Sequence, residues 1–405
     1  MNLARYYSSF AVFLLGSVAL VVPSGYSIGF ALLLLASFTL LWRKPAFHLQ
    51  AEDKLIMAVI ASYSLILITQ LLMDGASIRE LDRPSRFLFS LPVILYVIAY
   101  PPKLASLFAG LILGSILTGG WAAWQKLFLN VERAGGYTNT IQFGNISILL
   151  GFFCLAGLGW ASIQPRAKAW MALLVLGALL GVLGSLLSGS RGGWIGLPFL
   201  FFILYRAYGR DLTFKIKFVI LSMVFIFISA IYLLPQTGVK ERVSQAVENI
   251  RDYTVGDNKH TSVGLRLDMW KGALNLISEK PISGWGWGGY KERMQELVDE
   301  KDFPQFAADH HTHNEYLDNY GKRGLLGLVS LLALYLVPFS LFARHLTNSN
   351  IEIRSLATMG ALLPVAFMDF GLTQTFFSHN SGVMVYSCWL AVIWGSMRAL
   401  ENNRK

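Results

Sequence analysis

Three of the seven histidines, His310, His311 and His313, stand within Asp309-His310-His311-Thr312-His313-Asn314-Glu315-Tyr316. An imidazole changes charge near neutral pH, so it can accept a proton or hold a metal. Thr312-x-x-Glu315 has the spacing of a helix capping box, with Thr312 as N-cap and Glu315 closing back on its amide. That cap makes His313 the first helical residue, where the positive end of the helix dipole favours the neutral imidazole. A neutral imidazole is what a general base requires. A metal is the competing chemistry, since His311 and His313 form His-x-His with Asp309 and Glu315 close by. Residues two apart point to opposite sides of a helix, however, so one ion could take both histidines only from an extended chain. The reading adopted has no metal, assigns Glu315 to the cap and keeps His313 as the base. The plainer alternative is that the cluster ties its loop to a membrane surface.

Two arginines stand in settings that suit an anion. Ser188-Gly189-Ser190-Arg191-Gly192-Gly193-Trp194 projects Arg191 from small residues that permit close backbone approach. Arg266, in Ser262-Val263-Gly264-Leu265-Arg266, lies one turn before Trp270. Snorkelling to lipid headgroups would account for the first, and a cation–π pair with Trp270 for the second. A guanidinium also forks onto phosphate bidentately at any relevant pH. Two of them at a membrane surface suit the diphosphate of a lipid-linked substrate. A departing lipid diphosphate needs charge neutralisation more than a proton, whereas an incoming sugar hydroxyl needs a base. One histidine and two arginines are therefore a minimal set for glycosyl transfer with inversion, without a metal. The segment from Arg133 to Asn145 adds many amides and hydroxyls, among them Tyr137 and Gln142. Such residues line a sugar or phosphate pocket, or else bond to neighbouring helices.

The rest of the chain must hold these groups over a bilayer. Its 405 residues are 54% hydrophobic and only 14% charged, which is outside soluble norms. Apolar runs at about Phe10–Val22, Ile28–Trp42, Leu55–Met73, Phe87–Tyr100, Leu104–Trp124, Ile141–Ile163, Trp170–Leu187, Trp194–Tyr208, Phe218–Leu234, Leu325–Phe342, Leu356–Leu372 and Val383–Met397 predict about twelve transmembrane helices. Backbone polar groups must be satisfied inside each span, so the class is all-α polytopic. The net charge of +10 is scattered between the spans and forms no basic stripe, which argues against nucleic acid. One set of loops holds Arg43, Lys44, Lys54, Lys103, Arg166, Lys168, Arg206, Arg210, Lys215, Lys217, Arg344 and Arg354. Positive-inside puts that set and both termini in the cytoplasm, and the histidines outside. The chain then divides into helices 1–9 at residues 1–234, a large outer loop domain at 235–322, and helices 10–12 with a cytoplasmic tail at 323–405. Within the loop, Val239–Ile250 has helical spacing. A helix capped by Ser262 runs to about Ser278, with Leu265, Met269, Trp270 and Leu276 set to rest on the membrane. Pro281 ends it, before a Gly/aromatic loop at Ser283–Tyr290. Cys154 and Cys388 lie in apolar runs, and no disulfide is expected.

The Ser-Arg-Gly-Gly-Trp element, the Gly-x-Arg at Arg266, the Pro281…Gly284-x-Gly286-x-Gly288 turn and His311-x-His313-Asn314 together resemble the O-antigen ligase and polymerase superfamily of bacterial envelope enzymes. The likeness runs from about Arg133 to Gly324 and lies nearest the lipopolysaccharide O-antigen ligases. It implies a GT-C type inverting glycosyltransferase of the inner membrane, active at the periplasmic face. The reaction it implies moves a glycan from undecaprenyl diphosphate onto lipid A–core, with no metal, nucleotide sugar or other cofactor. Matched by motif, Arg191 and Arg266 hold the diphosphate and His313 activates the acceptor hydroxyl, with His311 as a second candidate. O-antigen polymerases and protein O-oligosaccharyltransferases share much of this pattern. A flippase for lipid-linked sugars is the reading from another class, with Asp369 as the main acidic residue inside a late apolar run. Transporters often carry two related halves, whereas here one large outer segment sits asymmetrically.

Overall fold

The computed structural model describes residues 2–190, 192–215, 262–301, 304–309 and 312–402, with isolated positions at 217, 222, 229 and 244. Arg191, His310 and His311 lie outside the described residues. So, but for those isolated positions, do the apolar run Phe218–Leu234 and the helix expected at Val239–Ile250.

Among the described residues every regular element is helical. The first part of the chain forms α1 (Asn2–Ser17), α2 (Gly25–Ser37), α3 (Leu40–Arg43), α4 (Ala51–Met73), α5 (Asp82–Ala99), α6 (Leu104–Leu127), α7 (Thr140–Ser162), α8 (Ala167–Ser188) and α9 (Leu197–Tyr208). Residues 262–309 contribute α10 (Ser262–Glu279), α11 (Trp287–Lys301) and the short α12 (Phe306–Asp309). The chain ends with α13 (Glu315–Ala343), α14 (Ile351–Thr373) and α15 (Asn380–Asn402). Each apolar run read from sequence, the 218–234 run apart, coincides with one of these helices. Among the described residues, eight spans are long and apolar enough to cross a membrane by length and composition. The chain is an all-α, multi-pass membrane protein.

Burial sorts the helices. α7, α14 and α15 are apolar on every side and buried nearly all round, as expected of helices that contact other helices and not lipid. With no hydrophobic drive between helices in lipid, close packing has to hold them together. Gly151 of α7 and Gly181 of α8 supply it: a methyl on Gly181 would come within 2.8 Å of the Gly151 Cα.

The outer segment has its own small core. Met269, Ala273 and Leu276 of α10 pack on Met294 and Leu297 of α11 and on Ala307 of α12. The apolar stripe of α10 is thus turned inward, and the expectation that Met269 and Leu276 rest on the membrane is corrected. Burial among protein neighbours removes the same apolar area from water without needing lipid. Arg293 locks the arrangement, bonding Glu279 at the end of α10 and Glu296 within α11.

This unit is fastened to the bundle at a break in α13. Gly324 has φ 60° and ψ −157°, and the turn after α10 docks on the break. Trp285 N–H donates to Gly321 O, Gly286 N–H to Lys322 O, and Leu325 N–H to Pro281 O. Gly284, with φ +69°, approaches so closely that a methyl there would meet Lys322 O at 2.5 Å. The glycines of this turn therefore serve backbone-to-backbone docking. Trp287 and Tyr290, expected in a loop, are in α11.

Candidate active site

Five segments converge at one end of the helices: the 133–142 stretch before and into α7, the turn after α8, the first turns of α10, the 312–314 turn, and the 373–381 connection between α14 and α15.

The 312–314 turn holds His313. The cap is made by Asn314, whose side chain accepts from the N–H groups of Tyr316 and Leu317. Glu315 turns away to accept from the Phe377 N–H and from Asn319. The capping box expected at Thr312 and Glu315 is thus corrected, because a buried carboxylate finds stronger partners in the 376–377 backbone than in the Thr312 amide. Consequently His313 precedes the cap, in the left-handed region at φ 50°, and is not the first helical residue. Its ring is held instead by a side chain: Nδ1 hydrogen-bonds Gln374 Oε1. An amide oxygen can only accept, so in this arrangement His313 donates from Nδ1. The same Gln374 donates from Nε2 to His379 Nε2 at 3.0 Å.

The turn is also tied to Arg266. Trp270 Nε1 donates to Thr312 O at 2.9 Å, so one turn of α10 separates Arg266 from the histidine turn. Burial lowers the affinity of the Arg266 guanidinium for its proton, and the nearby Arg133 lowers it further. Arg133 itself is anchored by Nε donating to Ser188 O at 3.0 Å, at the end of α8. Two guanidinium groups thus share one region, and among the described residues neither makes an ion pair. Their mutual repulsion is what a bound polyanion would relieve.

The turn after α8 is pinned on both sides. Ser190 donates to Asn145 Oδ1 of α7 at 3.3 Å, and Trp194 Nε1 to Ser185 Oγ at 3.1 Å. Gly193 packs so tightly that a methyl would meet Asn145 Oδ1 at 2.6 Å and the Phe370 ring at 2.8 Å. The small residues around Arg191 therefore seat the turn between α7 and α14. Gln142 is fully buried in α7, and its Oε1 accepts from Ser381 at 3.2 Å. Thr138 joins the same Ser381 at 3.1 Å.

Of the residues selected from sequence, the fold brings Arg266, His313 and Gln142 to this convergence. Tyr137 stands at its edge, half-exposed, with its ring on Trp121 at 6.2 Å and its N–H donating to Leu20 O. Asp369 is buried against Gly196, just beyond the α8 turn. Arg133, Gln374 and His379 were not selected. Gln374-Thr375 and Ser378-His379-Asn380-Ser381 are nevertheless polar clusters interrupting two apolar runs, on the side to which charge bias assigns the His cluster.

Several buried polar atoms here have no partner among the described residues: Gln142 Nε2, Asn145 Nδ2, Thr373 Oγ1 and Thr375 Oγ1. Unmet donors in a dry setting cost about 1–3 kcal/mol each and mark a place where a ligand can supply the missing bonds.

Comparison with known proteins matches these residues to a family. A family model described as O-antigen ligase fits residues 176–332, from α8 through the α8 turn, Arg266 and His313 into α13. An uncharacterized protein of Haemophilus influenzae is 30% identical over 371 residues, covering 91% of this chain and 92% of that protein. An O-antigen ligase of Escherichia coli is 31% identical over 118 residues, 28% of this chain and 27% of the E. coli protein. By that family model and the similarity to the E. coli protein, the chain belongs to the O-antigen ligase family.

Proposed function

We propose that the protein is an inverting, metal-independent glycosyltransferase of GT-C type that joins a glycan from undecaprenyl diphosphate to lipid A–core at the periplasmic face of the inner membrane. The observation that carries this reading is the bond from His313 Nδ1 to Gln374, made on a turn tied by Trp270 to the helix of Arg266. It orients the imidazole on a turn bonded to α10 one helical turn from Arg266, and a guanidinium there suits a diphosphate. In the reaction, the acceptor hydroxyl gives its proton to His313 Nε2 as its oxygen bonds to the anomeric carbon. The bond from that carbon to the diphosphate breaks on the opposite face, and the electron pair leaves with the diphosphate. Arg266 and Arg133, together with Arg191, neutralise the departing charge. Tyr137, Gln142 and His311 contribute to the walls of the saccharide and phosphate site. The layout that goes with this reading has about twelve spans, both termini in the cytoplasm, and residues 235–322 outside.

The test is transfer by purified protein in lipid nanodiscs, with chelator present, from an undecaprenyl diphosphate glycan to lipid A–core. His313→Ala is expected to fold normally and to lose about 10²–10⁴-fold in rate, the range of a general base. Undiminished transfer by that variant would remove His313 from the mechanism. Joining glycans to one another, or to a protein acceptor, would redirect the reading to the polymerases or protein O-oligosaccharyltransferases. Movement of the labelled donor across the bilayer, without transfer, would favour a flippase.

A further inference from the structure

Gln374 is nine-tenths buried and joins two histidines end to end, accepting from His313 at its oxygen and donating to His379 from its nitrogen. A side-chain amide has one accepting end and one donating end, so the two contacts are not independent. The NH₂ group can approach His379 Nε2 only if that nitrogen carries a lone pair, which requires His379 to be neutral with its proton on Nδ1. That approach aims Oε1 at His313, and Oε1 fixes the proton of His313 on Nδ1.

We propose that His379 acts through Gln374 as a protonation-dependent switch on the base at His313. This inference rests on the assignment of His313 as base. When His379 takes up a proton, its Nε2 becomes a donor and can bond Gln374 only through Oε1. The amide then turns over and its NH₂ group faces His313 Nδ1, which must now carry the lone pair. The ring proton of His313 moves to Nε2, and the base is lost without His313 changing its net charge. Acidification therefore withdraws the base by two routes: protonation of His313 itself, and protonation of His379 at a distance. His379 and Gln374 are positioning residues in this scheme, and neither touches substrate.

Titratable and charged groups on the elements packed against the 375–380 connection include Tyr63 of α4, Glu80 just before α5, Arg83 of α5, Glu315, Asp318, Lys322, Arg323 and Tyr335 of α13, Asp369 of α14 and Tyr386 of α15. Arg83 and Glu315 are committed to its backbone, through Ser378 O and Phe377 N–H. These two bonds hold the connection in place beside the Gln374 amide.

The test has two arms, both on the full chain in nanodiscs. In the first, transfer rate is followed against pH. The wild-type acid limb is expected to steepen toward a slope of about two, one proton for each histidine, and His379→Gln, which accepts from Gln374 but does not titrate, toward about one. Gln374→Leu should lower kcat about tenfold or more with the donor KM unchanged, as loss of a catalytic orientation does. Gln374→Glu, whose carboxylate accepts at both ends, should recover most of that loss. In the second arm, ¹⁵N-histidine spectra report which ring nitrogen of His313 is protonated. The wild type should show the Nδ1–H form above the titration of His379 and gain Nε2–H below it, and His379→Gln should keep the Nδ1–H form as the pH falls.

An equal acid slope in wild type and His379→Gln would overturn the switch, as would a His313 ring that is Nε2–H at every pH. The spectra do not depend on the reaction. If His313→Ala were fully active, the base assignment would fall while the tautomer switch stood or fell on its own signal.

Discussion

Two buried polar networks lie at opposite ends of α15, and they are built on opposite rules. At its C-terminal end Asp53 of α4 accepts from Gln50 N–H at 2.9 Å, from Trp394 Nε1 at 2.9 Å and from Arg398 Nε at 2.8 Å. Arg398 also pairs with Glu401, which meets His345 at 3.3 Å. Arg398 is the counter-charge to both Asp53 and Glu401. At its N-terminal end the His313–Gln374–His379 chain and the Gln142–Ser381 bond stand among buried amide and hydroxyl groups with no partner among the described residues, and Arg133 stands near Arg266. A closed network fixes helices against each other. An open one holds groups at a cost in stability, and a ligand can recover it.

The contrast is broken most forcefully at the closed end. Asp53→Ala leaves Arg398 and Trp394 without their shared acceptor, and removing one partner of a buried pair costs about 3–5 kcal/mol. The expected result is a large fall in melting temperature in nanodiscs, with transfer per folded molecule unchanged. A melting temperature within error of wild type would mean that this network does not hold α4 to α15.

Arg266→Ala should show the reverse pattern. The folded state disfavours the charged form of Arg266, and this cost is present at every pH below its folded pKa. No ordinary rise in pH removes it, but truncation does, so stability should hold or rise slightly. Transfer should fall about 10²–10³-fold, as when one charge-stabilising donor is lost. Inorganic pyrophosphate sharpens the same point. At one hundred times its Kd it should stabilise the wild type by about 2.7 kcal/mol, and it should stabilise Arg266→Ala much less. Equal stabilisation of the two would place the anion elsewhere.

How much of this was legible in the sequence follows from how far apart the interacting residues are. Helices declare themselves over short windows, so the apolar runs outside 218–234 gave helices where expected. Arg266 and His313 stood out because each is flanked by unusual neighbours. The amide that orients His313 lies 61 residues away, and no local pattern connects the two. Arg133 opens a stretch read as polar, but its pairing with Arg266 exists only once α10 folds over the end of α8. The cap failed for another reason: Thr312 and Asn314 are both good N-cap residues, and local spacing chose the first. Tertiary burial of Glu315 against Phe377 chose the second.

The smallest expected effect separates the two networks at a single oxygen. Thr375 is fully buried, and its Oγ1 has no hydrogen-bond partner among the described residues. Replacing a hydroxyl that bonds nothing by a methyl of similar shape removes a desolvated group at no loss of bonding, so Thr375→Val should be neutral or stabilising by up to about 1 kcal/mol. Trp394→Phe is the matched change at the closed end. It deletes a donor that Asp53 uses, and should destabilise by about 1–3 kcal/mol. Urea midpoints for the two variants should therefore move in opposite directions. If Thr375→Val were the more destabilised, its hydroxyl would have a partner within the fold, and the open character of this end would be lost at that position. If it were stable but several-fold slower in transfer, the hydroxyl would be one of the groups that substrate completes.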